Sequence, residues 1–294
     1  MHRSLSLNIL TMTYSNPIIM FGDSHTDIFV DQPQVTRFNL HTAVFTIPRL
    51  EDLDRWHTLW PTLDTWLSSA SGQDLVISVG EIDIRAHAWR HFPRVMYSNS
   101  INQYINDLAG RLYATIVRIQ RKYRLNRCVL WGAPPAYDNM LYNKDWPYSG
   151  STQTRNRCVH LFNCEFQRLV CANPTNGVGF ATAYYAYVDS DFNYINDPSH
   201  DGVHYRNRLG PVFWSDLVLP AFSGGVCSAG RQLPLVEYSV VSVRKDNGVR
   251  LADTWISAEG VTGQHSVEFQ GRTYYYIAKD LALNCDEYWE LELE

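Results

Sequence analysis

Short, mainly apolar runs that end abruptly in glycine constrain this chain more than any other feature. Ile18-Ile19-Met20-Phe21 runs into Gly22-Asp23-Ser24, the stretch Asp74 to Val79 into Gly80, and Cys128-Val129-Leu130-Trp131 into Gly132. A run without polar alternation fits a strand buried on both faces, the situation of a parallel sheet. Thr42 to Ile47, β-branched and closed by Pro48, reads as a second strand, and Gly179 to Val188 as a fifth strand or strand pair. Between them lie helical stripes. Leu50, Leu53, Trp56, Leu63 and Leu67 recur at three- and four-residue steps, with Pro61 kinking or splitting the helix. Ile101, Ile105, Leu108, Leu112, Ile116 and Ile119 form the strongest stripe, between Ser98 and Arg124. Val159, Phe162, Phe166, Leu169 and Val170 mark another helix, and Leu209, Val212, Phe213, Leu217 and Val218 a closing one. Strands alternating with helices of this size predict βαβ units with right-handed crossovers, hence an α/β chain in three layers, α/β/α, around a parallel sheet.

Past Pro220 the texture changes. Ser223-Gly224-Gly225 and Gly230 read as a linker, and short β-type runs follow: Leu235 to Arg244, Thr254 to Ser257, Ser266 to Phe269, Tyr274 to Ala278 and Tyr288 to Leu293. Asp246-Asn247-Gly248 and Gln270-Gly271 supply turns between them, the pattern of a small antiparallel β module. The expected organisation is a leader over 1–16, the α/β/α domain over 17–222 and the β-rich module over 230–294, the module adjusting binding or assembly. A chain of 294 residues is long enough for this division.

A net charge of −5 argues against broad nucleic-acid binding, and Arg121-Lys122-Tyr123-Arg124 reads as the cationic last turn of a helix. The six cysteines, Cys128, Cys158, Cys164, Cys171, Cys227 and Cys285, show neither C-x-x-C nor regular spacing, so they read as mostly buried thiols. The N-terminus lacks the pattern of a secretory signal and no stretch is long and apolar enough to span a membrane, which predicts a soluble, cytoplasmic protein. His87 and His91 stand at helical metal-pair spacing without an evident third ligand, so no metal and no cofactor is expected. The aromatic fraction of 13% serves core packing or a sugar-stacking surface.

The polar residues that follow the apolar runs carry the chemistry. In an open α/β sheet, ligands gather outside the carboxyl ends of the strands, where Ser24 would stand. A serine hydroxyl attacks at neutral pH only if a base takes its proton, and histidine has the suitable pKa. The imidazole needs an acceptor that fixes its tautomer, which an aspartate supplies. Asp201-Gly202-Val203-His204 places both ahead of the closing helix. A second Asp-x-x-His overlaps it, Asp197-Pro198-Ser199-His200, where proline makes the turn less adaptable.

Gly22-Asp23-Ser24 and Asp201-x-x-His204 resemble the first and last signature blocks of the SGNH/GDSL hydrolase superfamily, over roughly residues 17–222. The resemblance implies a flavodoxin-like hydrolase fold with Ser24 as nucleophile, His204 as general base and then acid, and Asp201 orienting His204. It also implies the Ser24 N–H as one oxyanion donor. Family members carry Gly-x-Asn-Asp after the third strand. Here Gly80-Glu81-Ile82-Asp83 keeps Gly80 and Asp83 but sets Ile82 where the asparagine donor belongs, and the second block's glycine is missing. Arg85 is a candidate substitute donor, the alternative being an ion pair with Glu81 or Asp83. His25 either donates to substrate or serves the start of a helix. The variant block resembles a subgroup associated with polysaccharide modification. The function implied is a serine esterase removing a small acyl group, acetyl above all, from a saccharide ester. The alternatives are acyl transfer to a sugar by the same triad, or a silent carbohydrate-binding or assembly protein.

Overall fold

The computed structural model describes residues 16–32, 34–38, 46–51, 60–88, 101–137, 152–195, 203–223, 225–230, 238–240, 254–257, 265–269 and 272–278. Six strands form one parallel sheet: β1 (Ile18–Gly22), β2 (Val35–Arg37), β3 (Asp74–Ser78), β4 (Cys128–Trp131), β5 (Val178–Thr182) and β6 (Val226–Ser228). Their order is β2-β1-β3-β4-β5-β6, so β1 and β3 lie side by side inside the sheet, with Gly22 paired to Ser78 at their carboxyl ends. The helices are α1 (Ile47–Glu51), α2 (Trp60–Ser69), α3 (Ile101–Tyr123), α4 (Thr152–Ala172), α5 (Gly210–Phe213) and α6 (Leu219–Phe222). A π-helical turn, Trp214–Val218, joins α5 to α6.

Side-chain alternation along the strands separates two cores, which makes the architecture α/β/α. Ile19, Phe21, Leu75, Ile77, Leu130 and Phe180 face one side, against the stripes of α2, α3 and α4. Ile18, Met20, Val76, Val129, Trp131 and Ala181 face the other, against Phe213, Trp214, Leu217, Val218 and Phe222. Every residue of β1, β3, β4 and β5 is buried, as their apolar runs predict.

Three expectations are corrected. Ile47, read as the end of a strand closed by Pro48, instead opens α1, and the second strand of the sheet is Val35–Arg37; residues 39–45 lie outside the described residues. Proline is tolerated in a helix's first turn because its missing N–H has no intrahelical partner there, and the Ile47 N–H is capped by Asp83 Oδ2 at 2.9 Å. The stretch read as a linker contains β6, which extends the sheet beyond β5 in parallel. The thiols are not mostly buried: Cys128 and Cys158 are, Cys164 and Cys227 are half-buried and Cys171 is exposed, while Cys285 lies outside the described residues. Pro61 lies at the start of α2.

Toward the C-terminus, β7 (Tyr238–Val240), β8 (Thr254–Ser257), β9 (His265–Phe269) and β10 (Arg272–Ala278) form an antiparallel sheet in the order β7-β8-β10-β9. The expected run from Tyr288 to Leu293 lies outside the described residues. No helix among the described residues is long and apolar enough to cross a membrane.

Candidate active site

Gly22 ends β1 with φ +154°, and a Cβ there would stand 2.2 Å from the Ser78 carbonyl oxygen, so only glycine lets β1 and β3 close this tightly. The Asp23 N–H then donates to that same oxygen at 2.9 Å. The chain turns at once into a 3₁₀ segment, Ser24–Phe29, capped by Asp23, whose Oδ1 accepts from the His25 N–H at 3.1 Å. Gly-Asp-Ser is therefore a strand end, a cap and a first turn in succession, and it lifts Ser24 to the carboxyl edge of the sheet, half-buried. As the first residue of a 3₁₀ turn, Ser24 carries one of the N–H groups left without a helical acceptor.

His204 arrives from the far end of the domain, 180 residues away, and its Nε2 lies 2.6 Å from Ser24 Oγ. One aromatic cluster holds both segments. Trp131, fully buried at the end of β4, meets Phe29 edge-on at 5.0 Å, Phe213 at 5.6 Å and Tyr205 at 6.1 Å. Phe29 closes the turn that begins with Ser24, and Tyr205 is the residue after His204. The described tryptophans and tyrosines of this cluster thus serve the core. Asp201, Asp197 and His200 lie outside the described residues.

Beneath the pair runs a line of buried charge. Glu81 pairs with Arg85 one helical turn later, and its other oxygen lies 3.5 Å from His25 Nε2. Asp23 Oδ1 also accepts from Ser78 Oγ at 3.0 Å. Asp23 Oδ2 and His25 Nδ1 have no hydrogen-bond partner among the described residues. Burial pushes Asp23 up to about 6 against the pull of His25, and Glu81 nearby pushes it further up. Burial also opposes charge on His25, but Asp23 and Glu81 outweigh it and its pKa is raised. Burial disfavours the Glu81 carboxylate as well, yet Arg85 and His25 hold it well below the usual carboxylate range. Of the two readings of Arg85, the ion pair with Glu81 is the contact seen, and it is buried rather than on the surface.

Gly80, two residues past the end of β3, has φ +116°, a conformation that favours glycine. Asp83, 2% exposed, turns its carboxylate to the start of α1, and burial pushes its pKa up to about 7. Ile82 is half-buried and has no side-chain donor. A cleft beside this buried charge is lined by Glu81, Ile84, Arg85, Pro134, Pro135, Ala136, Arg155, Val159 and Val203, the residue before His204. Among the described residues no three His, Cys, Asp or Glu side chains gather as metal ligands would. His87 lies in the π-helical turn Asp83–His87, and His91 is outside the described residues.

Asp23 as the cap, Glu81 and Arg155 were not singled out from the sequence as site residues. The Glu81-to-Arg85 spacing of four was the legible signal for the ion pair; Arg155 has no local signal, because its position depends on how α4 packs.

No family model matches the sequence, and no curated protein matches it. Solved structures with a similar chain path include one from Streptococcus pneumonia, provisionally described as a platelet activating factor, at TM-score 0.45 and 18% identity over 69% of this chain and 83% of that one. Phospholipase A1 from Streptomyces albidoflavus is similar at TM-score 0.40 and 11% identity, over 71% and 98% of the two chains. An acetyl xylan esterase variant from Geobacillus stearothermophilus is similar at TM-score 0.36 and 12% identity, over 72% and 96%.

Proposed function

We propose that this protein is a serine esterase of the SGNH/GDSL type, and that it removes a small acyl group, acetyl in the first instance, from a carbohydrate. The observation that carries the catalytic half is the 2.6 Å contact between Ser24 Oγ and His204 Nε2, within the reach that proton transfer requires. The two signature blocks and the parallel α/β/α sheet support the same reading. The acetyl-sugar half follows from the resemblance of the Gly-Glu-Ile-Asp-x-Arg block to hydrolases of polysaccharide modification.

In this reading Ser24 Oγ attacks the ester carbonyl carbon as His204 Nε2 takes its proton. The alkoxide leaves with that proton as the acyl-serine forms. Water then attacks the acyl carbon, His204 takes the water proton, and its return to Ser24 Oγ releases the acid. The N–H of Ser24 and that of Gly80 are the assigned donors to the oxyanion, and Asp201 the assigned partner of His204. With Ile82 in place of a donor, turnover is expected on the order of a hundredfold below that of a complete oxyanion hole.

Hydrolysis of p-nitrophenyl acetate by wild type, Ser24→Ala and His204→Ala tests the catalytic half. Each substitution is expected to lower kcat by about a thousandfold or more. Equal rates in all three overturn the esterase reading, and failure of a fluorophosphonate to label Ser24 in the folded protein points to a silent binding protein instead.

A further inference from the structure

The cleft beside the buried charge lies outside the carboxyl ends of β3 and β4, where an open α/β sheet binds its ligands. Two of its lining residues tie it to the pair: Glu81, whose Oε2 lies 3.5 Å from Nε2 of His25, the residue after Ser24, and Val203, the residue before His204. Its volume is about 20 Å³, room for one water-sized group. Apolar side chains supply most of the described lining: Ile84, Pro134, Pro135, Ala136, Val159 and Val203. Of the charged ones, Glu81 and Arg85 hold each other, and Arg155 Nη2 donates to Thr152 Oγ1 at 3.2 Å. The walls are fixed in place. Ile84, Val159 and Val203 are buried. Asn156, fully buried on the same helix as Val159, clasps the Ala136 backbone from both sides: its Oδ1 accepts from the Ala136 N–H at 2.7 Å and its Nδ2 donates to the Ala136 carbonyl at 3.4 Å. That Nδ2 also donates to the Phe192 carbonyl at 3.0 Å. A wall tied in this way does not swing aside cheaply for a larger group.

We propose that this cleft is the acyl pocket, that it takes the methyl of an acetyl group and turns away longer acyl chains, and that Val159 sets this limit. The proposal rests on the reading of Ser24 and His204 as nucleophile and base. In that reading the ester carbonyl carbon meets Ser24 Oγ with its oxygen toward the N–H groups of Ser24 and Gly80. Glu81 follows Gly80, so the acyl substituent is the part of the ester nearest the cleft. A sugar ring is far too large for the space, which leaves the alcohol half on the solvent side, free to depart once the acyl-serine forms. A methyl fills the apolar pocket and gains from burial. Each further methylene meets a wall held by a helix and by the Asn156 clasp, and it either forces that wall outward or draws the acyl carbon away from Ser24 Oγ.

Turnover of p-nitrophenyl acetate, propionate and butyrate by the intact protein tests this, each kcat/KM divided by the ester's own rate of alkaline hydrolysis so that intrinsic reactivity cancels. In the wild type the normalised kcat/KM is expected to fall by about tenfold or more for each added methylene. In Val159→Ala, which strips the wall back to Cβ, propionate is expected to gain about tenfold on acetate. A merely structural loss would lower all the esters together and leave their ratios unchanged. Equal normalised kcat/KM for the esters in the wild type, or an unchanged propionate-to-acetate ratio in the folded variant, overturns the pocket and leaves the esterase reading standing. Hydrolysis of none of them overturns the esterase reading itself, and the pocket falls with it. The wild-type series decides even if the variant does not fold.

Discussion

Asp83 is a buried carboxyl whose pKa rises from 3.8 to about 7 on folding, so the folded state binds its proton more tightly than the unfolded chain. Its contribution to stability is therefore most favourable below about pH 4 and declines as the pH rises through that window. Glu81 behaves oppositely: its pKa is depressed, so its contribution is present above its unfolded value of 4.5 and is lost as the pH falls. Asp83→Asn keeps an acceptor for the Ile47 N–H and removes the ionisation. The variant is expected to gain on the order of a few kcal/mol over wild type near pH 8 and almost nothing near pH 4. Urea unfolding at the two pH values checks this; a gain of the same size at both would show that folding does not raise the pKa of Asp83. The meeting of Ser24 and His204 was legible in the sequence because Ser24 follows an abrupt polarity break and His204 stands three residues after Asp201, ahead of the closing helix. The role of Asp83 was not, because its partner, the Ile47 N–H, belongs to a helix whose start reads equally well as the end of a strand.

The elements that bring Ser24 and His204 together meet at Trp131. Its indole, at the end of β4, touches both Phe29, which closes the turn after Ser24, and Tyr205, which follows His204. Trp131→Ala is expected to cost about 3–5 kcal/mol of stability. It should also lower kcat for p-nitrophenyl acetate under conditions where the variant is still folded, whereas Trp131→Phe keeps most of both. Equilibrium unfolding paired with kinetics separates the effects; wild-type kcat in the folded alanine variant would show that the cluster does not position the pair. The apolar runs of β1, β3, β4 and β5 were legible because burial on both faces removes polar alternation, and the stripes of α3 and α4 because burial of one face imposes a helical period. Val226–Ser228 was not: three residues, two half-buried and one exposed, leave no period to read, and the flanking glycines match a linker as well as a sheet edge. Val35–Arg37 escaped for the same reason.

At the scale of the whole chain, β6 moves the boundary of the α/β/α domain past Phe222. The edge of β5 is covered by Val226–Ser228, with further bonds from the Phe180 N–H to the Gly225 carbonyl and from the Ala229 N–H to that of Thr182. A chain ending at Phe222 leaves this row of backbone groups unpaired, while one ending at Gly230 keeps them satisfied. The shorter chain is expected to melt several degrees below the longer one and to aggregate more readily through the bare edge. Thermal unfolding of the two with light scattering checks the prediction, and identical melting would place the boundary at Phe222 after all.

The 180 residues between Ser24 and His204 have a consequence for the chain's biogenesis. During synthesis Ser24 leaves the ribosome early, in the turn just after the first strand, long before His204, the base proposed for it. On the proposed mechanism the nascent chain is silent toward esters until the segment carrying His204 has been translated and docked. Likewise, any fraying of the segment ahead of α5 withdraws the imidazole before the sheet itself is disturbed, so loss of reactivity at Ser24 would be the earliest sign of unfolding.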